Sequence, residues 1–296
     1  MYYNFALHIG SAENSKTVAG GYGEGNGTNE LCFPYGLAAD DEQTVVVADW
    51  GNHRIVQWKV GADNGQVVAG GHGQGKQLNQ LSCPTDVLID KQTNTLIICD
   101  RGNNRVVRWS RREDTSEGEI LLDNIACWGL AMDDQRFLYV SDIEKHEVRR
   151  YQIGEKNGTV VAGGHGRGTA LKQLNQPTYV FVDQQQTVYV SDTWNHRVMK
   201  WKKDATEGIV AVPESSRGLY VDSSETVYVA DYKNHQLVRW SKEAIEGTII
   251  AGGYNEDDET CQLYYPWGLS YDQQGQLFVA DHSNHRVQRF PLEPTD

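Results

Sequence analysis

Apolar and polar positions along this chain alternate in short runs, and the same runs return six times. One run is β-branched or aromatic and ends in aspartate: "TVVVAD", "TLIICD", "FLYVSD", "TVYVSD", "TVYVAD" and "QLFVAD". A second alternates and ends in a large aromatic: "RIVQW", "RVVRW", "EVRRY", "RVMKW", "QLVRW" and "RVQRF". Upstream of both lies "YGLAAD", "TDVLID", "WGLAMD", "TYVFVD", "RGLYVD" or "WGLSYD". A fourth run, "VVAGG" or similar, occupies 67–71, 160–164, 249–253 and, at the start, 17–21. Period-two alternation bounded by glycine and aspartate predicts β-strands. Each unit therefore carries four strands, a to d in chain order.

Repetition of such a unit at spacings of 39 to 51 residues predicts an all-β fold, a six-bladed β-propeller. The blades are expected at about 31–71, 81–123, 125–164, 174–212, 215–253 and 263–290. The chain opens on a lone d-type run, "KTVAGG" (16–21), and closes after a c-type run, "RVQRF" (286–290). The N-terminal strand is thus expected to complete blade six, which closes the ring and removes an open sheet edge. All 296 residues read as one domain, expected to be monomeric.

Charge narrows the partners. The net charge is −13, from 27 basic and 40 acidic residues, and an acidic surface repels a phosphate backbone. Basic side chains such as Arg105, Arg108, Lys200 and Lys202 fall in or just after successive c strands, dispersed around the ring. Nucleic acid is not an expected partner. No apolar run approaches the roughly 20 residues of a membrane span, and "MYYNFALHIGSAENSK" lacks the basic and apolar segments of a signal peptide.

Between strands b and c stands the most reactive-looking stretch. It reads "DWGNHR" (49–54), "DRGNNR", "DIEKHE", "DTWNHR", "DYKNHQ" and "DHSNHR" in successive units. His53, His146, His196, His235 and His285 share one repeat position, so they stand apart around the ring and cannot converge on one metal. Asp, Asn and His are expected to satisfy backbone donors of the tight turn, with Arg bonding back to Asp. The aspartates ending strand a, Asp40, Asp90, Asp133, Asp183, Asp222 and Asp272, are read as structural too. The loops "GGYGEGNG", "GGHGQG" and "GGHGRG" precede no helix, so they read as turns rather than phosphate cradles.

The runs P-x-G-L-x-x-D, then Y-V-A-D, then N-H-R-V resemble NHL repeats across residues 16 to 290. That resemblance implies a propeller. Related propellers serve as protein- or RNA-binding modules, bacterial sensor domains and the scaffold of a zinc-dependent peptidylglycine amidating lyase. Against that lyase only His282 falls near a channel position, while His72 and His165 sit in loops of separate blades.

Function is better sought where the units disagree. The residue after the proline position is Tyr35, Thr85, Trp128, Thr178, Arg217 or Trp267. The next is glycine in four units but Asp86 and Tyr179 in two. After the strand-b aspartate stand Trp50, Arg101, Ile143, Thr193, Tyr232 and His282. Tyr35, Trp50, Asp86, Arg101, Trp128, Tyr179, Arg217, Tyr232, Trp267 and His282 are therefore expected around one channel mouth, where aromatics with a few polar groups suit a protein, peptide or glycan ligand. The expectation is a non-catalytic recognition module or scaffold without a cofactor. The alternative is a metal-dependent propeller lyase or hydrolase.

Cys32, Cys83 and Cys127 lie at or just before the proline positions, Cys261 shortly before Pro266, and Cys99 in strand b. Adjacent blades make Cys32–Cys261 and Cys83–Cys127 conceivable disulfides, leaving Cys99 buried. With the sequons Asn26-Gly27-Thr28 and Asn157-Gly158-Thr159, this pairing points towards an extracellular location.

Overall fold

The computed structural model describes residues 15–40, 44–112, 115–253, 263–272 and 274–291. It forms six four-stranded antiparallel sheets arranged as blades around a central channel. Blade one contains β2 (Pro34–Ala39), β3 (Thr44–Asp49), β4 (Arg54–Lys59) and β5 (Gln66–Gly70). Blade two contains β6 (Asp86–Asp90), β7 (Thr95–Asp100), β8 (Arg105–Ser110) and β9 (Glu119–Asp123). Blade three runs from β10 (Cys127–Met132) through β11 (Phe137–Asp142) and β12 (Glu147–Gln152) to β13 (Thr159–Gly163). Blade four runs from β14 (Pro177–Val182) through β15 (Val188–Asp192) and β16 (Arg197–Trp201) to β17 (Ile209–Val212). Blade five comprises β18 (Leu219–Val221), β19 (Val227–Asp231), β20 (Gln236–Trp240) and β21 (Thr248–Gly252).

Blade six is made from both ends of the described chain. Its inner three strands are β22 (Pro266–Tyr271), β23 (Gln276–Asp281) and β24 (Arg286–Pro291), and its outer strand is β1 (Lys16–Gly20). β1 pairs antiparallel with β24, Lys16 opposite Arg289 and Gly20 opposite Arg286. The ring therefore closes by main-chain hydrogen bonds across its seam, as the repeat phase requires.

Alternation sends the b and c strand side chains between neighbouring blades. Val45, Val46, Val47 and Ala48 of β3 are all buried, as expected of a strand covered on both faces. The aromatic that ends each c strand is buried too: Trp58, Trp109, Tyr151, Trp201, Trp240 and Phe290. In blade one Gly65, just before β5, lies flat on the Trp58 ring, where a Cβ would stand 2.5 Å from Trp58 Cε2.

The turn residues are accounted for by the fold. Asp49 is fully buried; one carboxylate oxygen accepts from Cys32 N at 2.7 Å, the other from Asn52 Nδ2 at 2.8 Å and Arg54 Nε at 2.7 Å. Arg54 then reaches the carbonyls of Asn26, Gly27 and Glu30, pinning the glycine-rich loop. His53 adopts the left-handed conformation (φ 55) at the end of a one-turn 3-10 helix, Trp50–Asn52. Its Nδ1 accepts from Cys83 N of the next blade at 3.1 Å. His146, His235 and His285 repeat that bond towards Gln176, Tyr265 and Phe33. The histidines thus stitch blade to blade, and His285 stitches the seam.

One expectation is corrected. The disulfide joins Cys127 to Cys99, with Cα atoms 5.8 Å apart, and not to Cys83. Cys99 near the end of β7 and Cys127 at the start of β10 face each other in the buried space between blades two and three. Cys83 is a half-buried free thiol with a left-handed backbone (φ 49), and it is not part of that buried cluster. Cys261 lies outside the described residues; the Cys32 thiol donates to Glu24 Oε1 at 3.3 Å.

Candidate functional site

The starts of the inner strands crowd the channel axis. A Cβ on Gly218 would run into the Trp267 carbonyl, and one on Gly36 into Thr85 O and Asp86. Glycine at this level in four blades lets the ring narrow there. The two blades without glycine, two and four, place Asp86 and Tyr179 in the space so made.

Over this constriction the variable aromatics meet. Tyr35 lies 4.4 Å from Trp267, 4.8 Å from His282, 5.6 Å from Trp50 and 5.7 Å from Trp128, ring centroid to centroid. Trp128 stacks on Trp267 at 5.7 Å, and Tyr232 meets Trp267 edge-on at 5.4 Å. The Arg217 guanidinium lies 4.6 Å from the Trp267 ring and 5.0 Å from Tyr232. Nine of the ten residues chosen from the sequence thus gather at the channel. Arg101 does not join them: it donates to Asn104 Oδ1 at 2.8 Å and stands 3.6 Å from Glu144. Its neighbour in blade three is acidic, so charge draws it towards that turn.

The electrostatics follow from burial. Asp86 is 5% exposed; its Oδ1 accepts from Val87 N at 3.0 Å and its Oδ2 from Leu130 N at 2.8 Å. Burial pushes its carboxyl up to about 7, partly opposed by those two backbone bonds. Tyr35 is pushed up to about 12 by burial and the Tyr232 phenol, with Arg217 pulling the other way. Tyr179 is raised well above the usual phenol range by burial, Asp86 and Tyr35. Burial and His285 hold His282 down at about 4, a neutral ring at physiological pH. At the channel, the indole N–H groups of Trp128 and Trp267 and the Tyr179 hydroxyl are buried without a partner among the described residues.

Beneath the aromatics runs a bore with a cavity volume of about 210 Å³. Its wall includes Leu37, Leu88, Leu130, Leu219 and Leu269, with Phe181, Tyr220 and Tyr271 towards the far ends of the inner strands. These wall residues were not singled out from the sequence. Their signal is the strand-a alternation, which identifies the inner strand but not the width of the bore. Among the described residues no three of His, Cys, Asp and Glu come together as a metal-binding group. His282 packs against Phe33, Tyr35 and Trp267. No described helix is long and apolar enough to cross a membrane.

Comparisons with known proteins place the fold. No curated protein sequence matches the chain. A structural genomics protein of unknown function from Bacteroides thetaiotaomicron superposes with a TM-score of 0.72 at 16% identity, over 94% of this chain and 76% of that one. An auxiliary nutrient binding protein from the same organism gives 0.68 at 14%, over 93% and 75%. A gluconolactonase from Xanthomonas campestris gives 0.66 at 15%, over 89% and 87%. At such identities the likeness concerns the fold alone. The NHL repeat model matches residues 31–58, 217–240 and 263–290, in blades one, five and six. With those matches set in a closed ring of six four-stranded blades, the chain is an NHL-repeat β-propeller.

Proposed function

We propose that this propeller is a non-catalytic recognition module that holds a protein, peptide or glycan ligand at the aromatic mouth of its channel. Arg217 carries the reading. Its guanidinium rests on Trp267 and Tyr232, and no carboxylate lies within ion-pair range of it among the described residues. Ring faces stabilise such a cation but do not meet its N–H donors. Carbonyl, hydroxyl or carboxylate oxygens of a ligand would meet them, while Tyr35, Trp50 and Trp128 supply apolar faces for a sugar ring or peptide side chain. Structures of similar fold include a nutrient binding protein and a gluconolactonase, so the fold alone favours neither binding nor catalysis. The alternative, a metal-dependent lyase or hydrolase, has His282 alone at the channel among the described histidines.

Glycan and peptide arrays probed with wild type and with Arg217→Gln test this. Specific binding by wild type should weaken about tenfold or more in the variant, since hydrogen bonds to a charged group are worth about 1.5–3 kcal/mol. Equal binding by both proteins, or stoichiometric zinc or calcium in elemental analysis of the purified chain, overturns the reading.

A further inference from the structure

The bore under the aromatic layer is distinct from the mouth above it, and its polar groups are few. Asp86 brings a buried carboxyl group whose hydrogen-bond partners among the described residues are two backbone N–H groups. No cation pairs with it among the described residues. Tyr179, 6% exposed, brings a hydroxyl without a partner, and both side chains line the same 210 Å³ cavity. The remaining wall is apolar apart from Ser270, whose hydroxyl oxygen accepts from Ala39 N at 3.0 Å, and the phenols of Tyr220 and Tyr271.

We propose that this bore binds a small amine with an apolar body, its ammonium group held by Asp86 and Tyr179. An ammonium donates several hydrogen bonds, so it can serve the Asp86 carboxylate and the Tyr179 oxygen together. It also neutralises a buried charge, which a water molecule in the same place would not do. A neutral alcohol leaves the charge uncompensated, and an anion opposes it. The volume exceeds the roughly 150 Å³ in which an apolar cavity holds benzene, so one ring with a short amine tail fits. The site goes beyond the mouth reading and does not use Arg217, so either can fail without the other.

Protonation state sharpens the expectation. Burial holds the Asp86 carboxyl up at about 7, and an ammonium beside it favours the ionised form. Amine binding therefore releases a proton near neutrality and tightens as pH rises from 6 to 8. The groups facing Asp86 do not titrate in that window. Tyr35 from blade one, Tyr179 from blade four, Tyr220 from blade five and Tyr271 from blade six are all raised above the ordinary phenol range. Arg217 of blade five stays cationic, blade three presents the Leu130 N–H, and His282 of blade six stays neutral.

The test is calorimetric titration of the full chain with 2-phenylethylamine, 2-phenylethanol and 3-phenylpropanoate at pH 6 and pH 8. Wild type should bind the amine saturably and about tenfold or more tighter than either analogue, more tightly at pH 8. Asp86→Asn should abolish that preference and its pH dependence. Tyr179→Phe should weaken the amine several-fold and, if Asp86→Asn does not fold, decides together with the wild-type pH profile. Failure of wild type to bind the amine, equal affinity for amine and alcohol, or undiminished amine binding in the variants overturns the proposal.

Discussion

At Asp49 a fully buried carboxylate is made tolerable by a backbone N–H, an amide and a guanidinium that together occupy both oxygens. Arg54 is itself buried, at 6% exposure, so removing the acid would strand its charge. Breaking one side of such a pair costs about 3–5 kcal/mol, and Asp49→Ala should lose that much in urea denaturation. Asp86 is the opposite case, a buried acid without a cation. Burial holds its folded carboxyl up at about 7, above the ordinary 3.8 of an exposed aspartate. A raised folded value means the native state binds the proton more tightly, so this contribution to stability is full below about pH 4 and fades as pH rises towards 7. Asp86→Asn should therefore be more stable than wild type at pH 8, by at most about 4 kcal/mol. The gap should close by about pH 4 in matched urea titrations. The repeat made both residues legible, Asp49 by recurring and Asp86 by replacing glycine. What faces Asp86 was not legible, because Leu130 and Tyr179 come from other blades and period-two alternation carries no information across the ring.

The same division holds for whole elements. Strand positions and the tight turns follow from alternation and from Asn and His tolerating a left-handed backbone. The third unit shows why a degraded motif still makes a blade. Its Asp142 accepts from Glu144 N and Lys145 N, both at 3.0 Å, in place of the Asn and Arg side chains. His146 keeps its bond to the next blade. That cross-blade bond was invisible in the sequence, where the histidine was read as part of its own turn. Another element rule is the glycine that opens most outer strands. Gly65 packs on Trp58 as Gly208 does on Trp201, and an added methyl has nowhere to go. Overpacking of this kind costs about 1–3 kcal/mol. Gly65→Ala should lower the melting temperature by about 2–4 °C for each kcal/mol lost, as calorimetry will show.

Across the whole molecule, closure and cross-linking are separate devices. The disulfide links blades two and three, and its cysteines are 28 positions apart in sequence. Its partners were misread because blade adjacency was weighed without asking which face of each strand a cysteine occupies. Peptide mapping of unreduced protein should recover a Cys99–Cys127 cross-link and alkylated Cys83. Closure rests instead on β1. Val18 and Ala19 of that strand are buried, and its main chain pairs with β24 along the seam. Removing residues 1–20 would leave β24 as an open edge of alternating apolar residues, a template for pairing with another chain. It would also take away the strand that precedes the loop pinned by Arg54. The truncated chain should melt well below wild type, and light scattering should show it associating at concentrations where wild type stays dispersed. If it keeps the wild-type melting temperature and stays monomeric, the seam is not what holds the ring shut, and the His285 bond to Phe33 N at 3.2 Å becomes the contact to remove next.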